Sequence, residues 1–304
     1  MAGPILVTGG TGQVGEALLR TLAPLGHVVA PDRRQLDLGD AASIRSLLRR
    51  LHPRWVVNAG AHTAVDKAES EAELAFRINA TAPQVLAEEA TRLGAAVVHF
   101  STDYVFDGTK PAPYVETDPV APVNVYGASK LEGERRLEAS GAAHLVFRTS
   151  WIYGATGNNF LRSMLRFARE RELLRVVADQ HGAPTWSWEL ARMTAHVIEQ
   201  LEASARGSSA EDAVRPVSGV YHATGSGETT WYGFATLAID ELRKLRPEAR
   251  LATVAPIATA EYPTPAKRPV NSRLDCAKLQ RVFGWRMPRW DVSVREVVGL
   301  LQAS

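Results

Sequence analysis

The 304-residue sequence predicts an α/β protein, a doubly wound parallel sheet followed by a smaller, interleaved C-terminal domain. Two observations carry that prediction. Up to about residue 150, short apolar runs alternate with longer amphipathic stretches, and each stretch can cross back over a parallel sheet. Hydrophobic residues make up 45% and charged residues 22%, the balance of an ordinary folded protein with a sizeable core.

In chain order, the apolar run at 5–8 predicts the first strand, and the glycine-opened stretch 12–25 the first helix. Strands follow at 28–30, 55–58, 97–101 and 144–149, with helices at 41–51, 72–93 and 128–139 between them. After Thr149 the rhythm breaks, because Gly, Asn and Pro become frequent. The polar stretch 203–218 reads as an exposed loop, 219–224 as a returning strand and 231–245 as a helix. A strand at 251–256 and a short helix at 275–283 complete the pattern, and no internal repeat is visible. The expected division is 1–152 for the first domain, rejoined by segments near 175–225, with 153–304 mainly the second.

Straight after the first strand stands Gly9-Gly10-Thr11-Gly12-Gln13-Val14-Gly15, which then opens a helix. Glycines allow the tight turn and let backbone N–H groups approach a pyrophosphate, while the helix N-terminus adds partial positive charge. Strand, loop and helix in this order predict a Rossmann-type dinucleotide site. Asp32, about twenty residues on, suits a ribose 2′-hydroxyl and hence NAD. Arg33 and Arg34 follow at once and suit a 2′-phosphate, so NADPH is the expected cofactor with NADH tolerated.

Tyr126-Gly-Ala-Ser-Lys130 puts a phenol and an amine four residues apart, on one face of a helix. An ammonium beside a phenol is expected to lower its pKa and make a usable proton shuttle. The strand before it ends in Ser101-Thr102-Asp103-Tyr104-Val105-Phe106, placing the Thr102 hydroxyl at the carboxyl edge of the sheet, where open α/β folds bind ligands.

On these segments the chain resembles the extended short-chain dehydrogenases/reductases, and within them the dTDP-4-dehydrorhamnose reductase family. The likeness extends to Asn58-Ala-Gly-Ala-His-Thr-Ala-Val-Asp-Lys-Ala-Glu-Ser70, Arg148-Thr-Ser-Trp-Ile-Tyr153 and Gly157-Asn-Asn-Phe160. It continues in Gln180-His-Gly-Ala-Pro-Thr185 and Tyr262-Pro-Thr-Pro-Ala-Lys-Arg-Pro-Val-Asn-Ser-Arg-Leu274. The resemblance implies hydride transfer from a nicotinamide to the C4 carbonyl of dTDP-4-dehydro-β-L-rhamnose. It makes Tyr126 the proton donor, Lys130 the holder of the nicotinamide ribose and Thr102 a hydrogen-bonding partner of the carbonyl. Asp103 and Trp151 would contact the sugar nucleotide. Gly9, Gly12, Gln13, Val14, Asp32, Arg33, Asp37, Leu38, Ala61, His62 and Thr63 would line the cofactor.

Some members of that family dimerise through carboxylates that bind Mg²⁺. Here the first such position is Ala17, beside Glu16, and the C-terminal carboxylate is missing, whereas Glu189 remains. Monomer and homodimer both stay open. Two other readings are an epimerase of the same nucleotide-sugar class and a non-catalytic subunit resembling the β subunit of methionine adenosyltransferase. A dehydratase would need a glutamate after Thr102-Asp103, where this chain has Tyr104.

Lys and Arg number 35 against 33 Asp and Glu, a net charge of +2 without long charged runs, which gives no footprint for nucleic acid or anionic lipid. No apolar stretch reaches membrane-spanning length, and Met1 runs almost directly into the first strand, so a cytoplasmic protein is expected. The single cysteine, Cys276, excludes an intramolecular disulfide and reads as a buried structural residue. The eight histidines form no metal-ligand spacing, so no metal site is expected. Trp186, Trp188, Trp231 and Tyr232 read as packing residues, and Arg49, Arg50 and Arg54 as a solvated helix face and its exit.

Overall fold

The computed structural model describes residues 3–204 and 207–303. Strand β1 (Ile5–Thr8) is buried along its whole length, as a central parallel strand requires. Helix α1 (Gln13–Leu22) stops before Pro24, and the chain turns through a 3₁₀ segment, Ala23–Leu25, into β2 (Val28–Val29). Helix α2 (Ala41–Leu51) starts where the Asp40 carboxylate accepts from Ala42 N at 2.8 Å, and β3 (Trp55–Asn58) follows it. The stretch expected as one helix at 72–93 is not continuous. After α3 (Val65–Ala68) it forms α4 (Ala72–Phe76), a π turn at Arg77–Thr81 and α5 (Ala82–Leu93). Strand β4 (Ala96–Thr102), α6 (Val125–Ala139) and β5 (His144–Thr149) complete the first half.

The second half holds more regular structure than its sequence suggests. Strand β6 (Ile152–Tyr153) leads to α7 (Phe160–Glu170), β7 (Leu173–Val177), β8 (His181–Gly182) and β9 (Thr185–Trp186). Helix α8 (Ser187–Ser204) is followed, within the stretch expected as a loop at 203–218, by α9 (Ala210–Val214) and a further 3₁₀ turn. Two residues of that expected loop, Ala205 and Arg206, lie outside the described residues. The Ser209 hydroxyl and Asp212 carboxylate cap α9 reciprocally, so a polar composition there marks a short capped helix. Then come β10 (Gly219–His222), β11 (Thr229–Thr230), α10 (Trp231–Leu245), β12 (Thr253–Ile257), α11 (Ala277–Phe283) and α12 (Trp290–Ala303).

Six parallel strands form the main sheet in the order β10-β5-β4-β3-β1-β2. Because β2 lies on one side of β1 and β3 on the other, the winding reverses at β1, where such sheets open a crevice at their carboxyl ends. Thr8 is in register with Asn58, and Thr102 with Thr149, so these side chains share that edge. One face of the sheet buries Leu18, Leu22, Val197, Ile198, Leu201 and Phe283, which come from α1, α8 and α11. The other buries Ile44, Leu48, Leu86, Ala90 and Leu137 from α2, α5 and α6. A separate cluster joins Tyr153, Leu161, Leu165, Phe234, Leu242, Val294 and Val297. Strand β7 pairs with β12 and does not rejoin the main sheet, whereas β10 adds to it beside β5.

Arg50 stays on the exposed face of α2, whereas Arg49 and Arg54 act as braces. Arg49 grips the buried Glu89 carboxylate through two contacts of 2.8 Å. Arg54 reaches Glu202, Gly3 O and Leu25 O, each at 2.7 Å.

Candidate active site

The crevice opens into a cavity of about 650 Å³ whose floor is the glycine turn between β1 and α1. Gly9 has φ +67°, and a Cβ on it would stand 2.6 Å from Gly60 N; one on Gly15 would stand 2.0 Å from Gly9 O. The turn therefore needs glycine at both positions. Gly12 is the N-cap of α1 and supplies no side-chain acceptor, which leaves first-turn N–H groups for an anion in the cavity. Gly9, Gly12, Gln13 and Val14 line this floor, and Ala61 and Thr63, following β3, line the adjoining wall. The donor-rich, side-chain-free cradle fits a dinucleotide pyrophosphate.

Opposite the turn, β4 ends at Thr102. Its hydroxyl donates to Asp103 Oδ1 at 3.0 Å and accepts from Tyr104 N at 3.2 Å. The Asp103 carboxyl is buried, with Oδ2 unpartnered, and burial pushes its pKa up to about 6 against the pull of the Ser272 and Thr102 hydroxyls. An unpartnered carboxylate oxygen beside a cavity is an acceptor prepared for a ligand hydroxyl. Tyr126 and Lys130 come from the first turns of α6, which begins where the Asn124 side chain accepts from Gly127 N at 2.7 Å. The Tyr126 ring meets the Tyr104 ring edge-on, with centroids 5.9 Å apart. Thr102, Asp103, Tyr126 and Lys130 all line the same cavity.

The electrostatics correct one expectation. The Lys130 amine bonds Phe100 O (2.6 Å) and lies 3.2 Å from His99 Nε2. Burial, reinforced by the Asp103 carboxylate and offset by the Thr102 hydroxyl, pushes the Tyr126 phenol up to about 12. Near neutrality Tyr126 is protonated, the form a proton donor needs. Burial also lowers Lys130, to about 8, against the attraction of Glu134.

The far wall is aromatic. Trp151 has φ +46°, an unusual conformation for a bulky residue, and its indole stacks on Trp231 with centroids 3.7 Å apart. A Cβ on Gly182 would stand 2.6 Å from the Trp151 ring, so that glycine leaves the space the ring fills. Gln180 Oε1 accepts from Trp231 Nε1 at 3.2 Å.

Comparison with known proteins agrees with this geometry. The family described as RmlD substrate binding domain matches residues 3–303. A dTDP-4-dehydrorhamnose reductase of Burkholderia thailandensis is 48% identical, over 95% of this chain and 96% of that protein. This chain belongs to the dTDP-4-dehydrorhamnose reductase family. A crystal structure of a family member from Clostridium acetobutylicum superposes with TM-score 0.88 at 36% identity, covering 98% of this chain and 99% of that one. Another, from Bacillus anthracis in complex with NADP, gives TM-score 0.84 at 31% identity, covering 98% and 99%. With membership of this reductase family comes a nicotinamide-dependent oxidoreductase activity.

Several residues expected at the cofactor stand outside the cavity lining of this reductase-family site. Asp32, Arg33 and Asp37 are exposed beyond β2. The Asp32 carboxylate accepts from Arg34 N (2.8 Å) and Gln35 N (3.0 Å), and that of Asp37 from Gly39 N (2.8 Å). Leu38 approaches Gly60, where its Cδ1 lies 2.5 Å from the place a Cβ would take. His62 turns its ring to Glu71 (2.9 Å), while its main chain is clasped by Asn79, which accepts from His62 N (2.8 Å) and donates to His62 O (3.0 Å). Trp231, read as a packing residue, lines the cavity; its place directly after Thr229-Thr230 in a helix-starting pattern was the available signal. Asn79, in the π turn, had no sequence signal. Cys276 is half-buried beside the Thr224 hydroxyl (3.5 Å), and burial pushes its thiol pKa up.

Among the described residues no three His, Cys, Asp or Glu side chains gather as a bound cation would require. Among them, too, no helix is long and apolar enough to cross a membrane.

Proposed function

We propose that the protein reduces the C4 keto group of dTDP-4-dehydro-β-L-rhamnose to give dTDP-L-rhamnose, with NADPH as preferred reductant and NADH accepted. The single observation that carries this reading is the phenol of Tyr126 sharing one cavity with Thr102, Asp103 and the glycine turn. Bound reduced nicotinamide supplies the hydride. As negative charge grows on the former carbonyl oxygen, Tyr126 gives it a proton and Thr102 holds it by a hydrogen bond. Lys130 holds the nicotinamide ribose. Asp103 accepts from a sugar hydroxyl, and Trp151, backed by Trp231, forms an apolar wall against the sugar.

Gly9, Gly12, Gln13 and Val14 take the pyrophosphate, and Ala61 and Thr63 flank the cofactor, with His62 between them held in place by Asn79. Asp32 and Arg33, just beyond β2, are assigned to the adenosine ribose. The exposed Arg33 and Arg34 favour a 2′-phosphate, and Asp37 and Leu38 are assigned to the adenine end of the cofactor. The matching division of labour gives cofactor binding to 1–152, rejoined by segments within 175–225, and sugar-nucleotide binding mainly to 153–304.

The two carboxylates nearest the positions of the family's magnesium bridge are engaged within the chain. Glu16 bonds Thr156 (2.8 Å), and Glu189 pairs with Arg192 (3.2 Å). The same reading takes the protein as a monomer or homodimer that acts in the cytoplasm on a dTDP-sugar, with no nucleic-acid or membrane partner. The deciding experiment follows loss of NADPH absorbance on adding the enzymatically prepared 4-keto-L-sugar nucleotide, then identifies the product. dTDP-L-rhamnose formed with stoichiometric NADPH oxidation is expected. Isomerisation without net oxidation would favour an epimerase, and binding without turnover a regulatory subunit.

A further inference from the structure

Behind the catalytic face, a chain of buried polar groups runs through the sheet from the glycine-turn side to Lys130. Gly60 N donates to Thr8 Oγ1 (3.1 Å), and Thr8 Oγ1 lies 2.6 Å from Asn58 Oδ1. Asn58 Nδ2 lies 2.9 Å from His99 Nδ1, and His99 Nε2 lies 3.2 Å from Lys130 Nζ. Thr8, Asn58 and His99 are buried and depend on one another for partners, and Lys130, also buried, borders the cavity.

The direction of each bond follows from its neighbour. A backbone N–H can only donate, so Thr8 Oγ1 accepts from Gly60 and keeps its own proton for Asn58. The 2.6 Å separation suits O–H···O and is short for N–H···O, which puts the carbonyl of Asn58 toward Thr8. The Asn58 amide N–H then faces His99, whose Nδ1 must be the unprotonated nitrogen. A neutral His99 carries its proton on Nε2, facing Lys130. An ammonium there would oppose donor to donor, whereas a neutral amine accepts from His99 and still donates to Phe100 O.

We propose that His99 is a positioning residue whose Nε2–H biases Lys130 toward the neutral amine in the free protein, so that binding of a nicotinamide dinucleotide draws a proton onto Lys130. Ribose hydroxyls accept best from an ammonium, and the dinucleotide's phosphates add negative charge to the same cavity. The other charged groups around the pair are accounted for. Glu134, one turn along α6, attracts the ammonium but is itself gripped by Arg148 of β5 at 2.6 Å. His144 of β5 adds to the forces that keep His99 neutral, and Asp103 and Tyr126 face the cavity.

The inference rests on the reading that this cavity takes NADPH, and two measurements separate its failure from the failure of that reading. Calorimetry of NADPH binding at pH 8, in two buffers of different ionisation enthalpy, counts protons taken up. The 2′-phosphate is already ionised at that pH, and Lys130 titrates at about 8, so uptake of about half a proton is expected. In His99→Leu, and in the isosteric Asn58→Asp, whose carboxylate turns the imidazole proton to Nδ1, uptake falls at least twofold. Binding without proton uptake, or uptake unchanged in both variants, overturns the proposal; no NADPH binding at all overturns the reading beneath it. Independently, ¹⁵N-histidine spectra of the wild-type protein without cofactor should show His99 protonated on Nε2. A proton on Nδ1 overturns the inference whatever the cofactor does.

Discussion

Tyr126 bears the heaviest chemical demand, because reduction of a ketone leaves an oxygen that needs a proton at the moment hydride arrives. Its phenol sits far up the pH scale and keeps that proton. Tyr126→Phe removes the donor and little else, so kcat should fall by roughly 10²–10⁴-fold while the NADPH dissociation constant hardly changes. Steady-state rates paired with a fluorescence titration check this, and wild-type turnover would refute the acid role. Lys130→Ala should lower turnover and also weaken NADPH binding; unchanged affinity would argue against a ribose contact. Asp103 adds a stability effect of known sign. Its folded-state pKa of about 6 is above the ordinary 3.8, so the native state binds the proton more tightly. The cost of the buried charge is absent below pH 4, grows between pH 4 and 6 and is complete above that. Asp103→Asn should therefore raise stability by roughly 3 kcal/mol at pH 8 and leave it unchanged at pH 4, as thermal melts at the two pH values would show.

At the scale of elements, the first-half helices and strands were legible because each is a short buried run or an amphipathic stretch bounded by a breaker. The spans of α2, β3, β5 and α10 coincide with those expected. The π turn inside 72–93 was not legible. It is held by Asn79, which bonds the His62 main chain and Ser129 Oγ (3.0 Å), partners remote in sequence. Helix α8 escaped because β9 runs straight into it at Ser187 with no separating turn residue. Helix α7 did carry a signal, the Asn159 side chain accepting from Arg162 N at 3.0 Å. The 262–274 segment shows what such pieces do for the site. Asp66 accepts from Arg268 (2.8 Å) and Ala266 N (3.1 Å), and Asn124 donates to Lys267 O (2.8 Å), which straps the segment to α3 and the start of α6. The ion pair is partly exposed, with side-chain accessibilities of 22% and 41%, so Asp66→Asn should cost at most about 1 kcal/mol of stability. Loosening the strap should instead raise KM for the sugar nucleotide about tenfold, with kcat within a factor of about three. Equal changes in both constants would show that the strap serves the chemistry and not sugar binding.

For the whole molecule, a cofactor held across the carboxyl edge of one sheet binds the folded chain and not the unfolded one. NADPH at about 100 times its dissociation constant should stabilise the protein by about 2.7 kcal/mol, read as a rise in melting temperature that NADH matches only at higher concentration. Equal rises at equal low concentration would remove the argument from Arg33 and Arg34. The sequence by itself determined the alternation of strands and helices, the glycine turn and the Tyr126, Lys130 and Thr102 set. Those features rest on local rules: periodicity, backbone freedom at glycine, and the helical spacing that aligns residues four apart. Tertiary structure alone decided that Trp231 backs Trp151, that His99 and Asn58 reach Lys130 through the sheet, and that burial lifts the Tyr126 phenol in place of Lys130 lowering it. Each of these depends on which distant segments meet and how far they exclude water. Neither quantity is encoded in any short stretch of the chain.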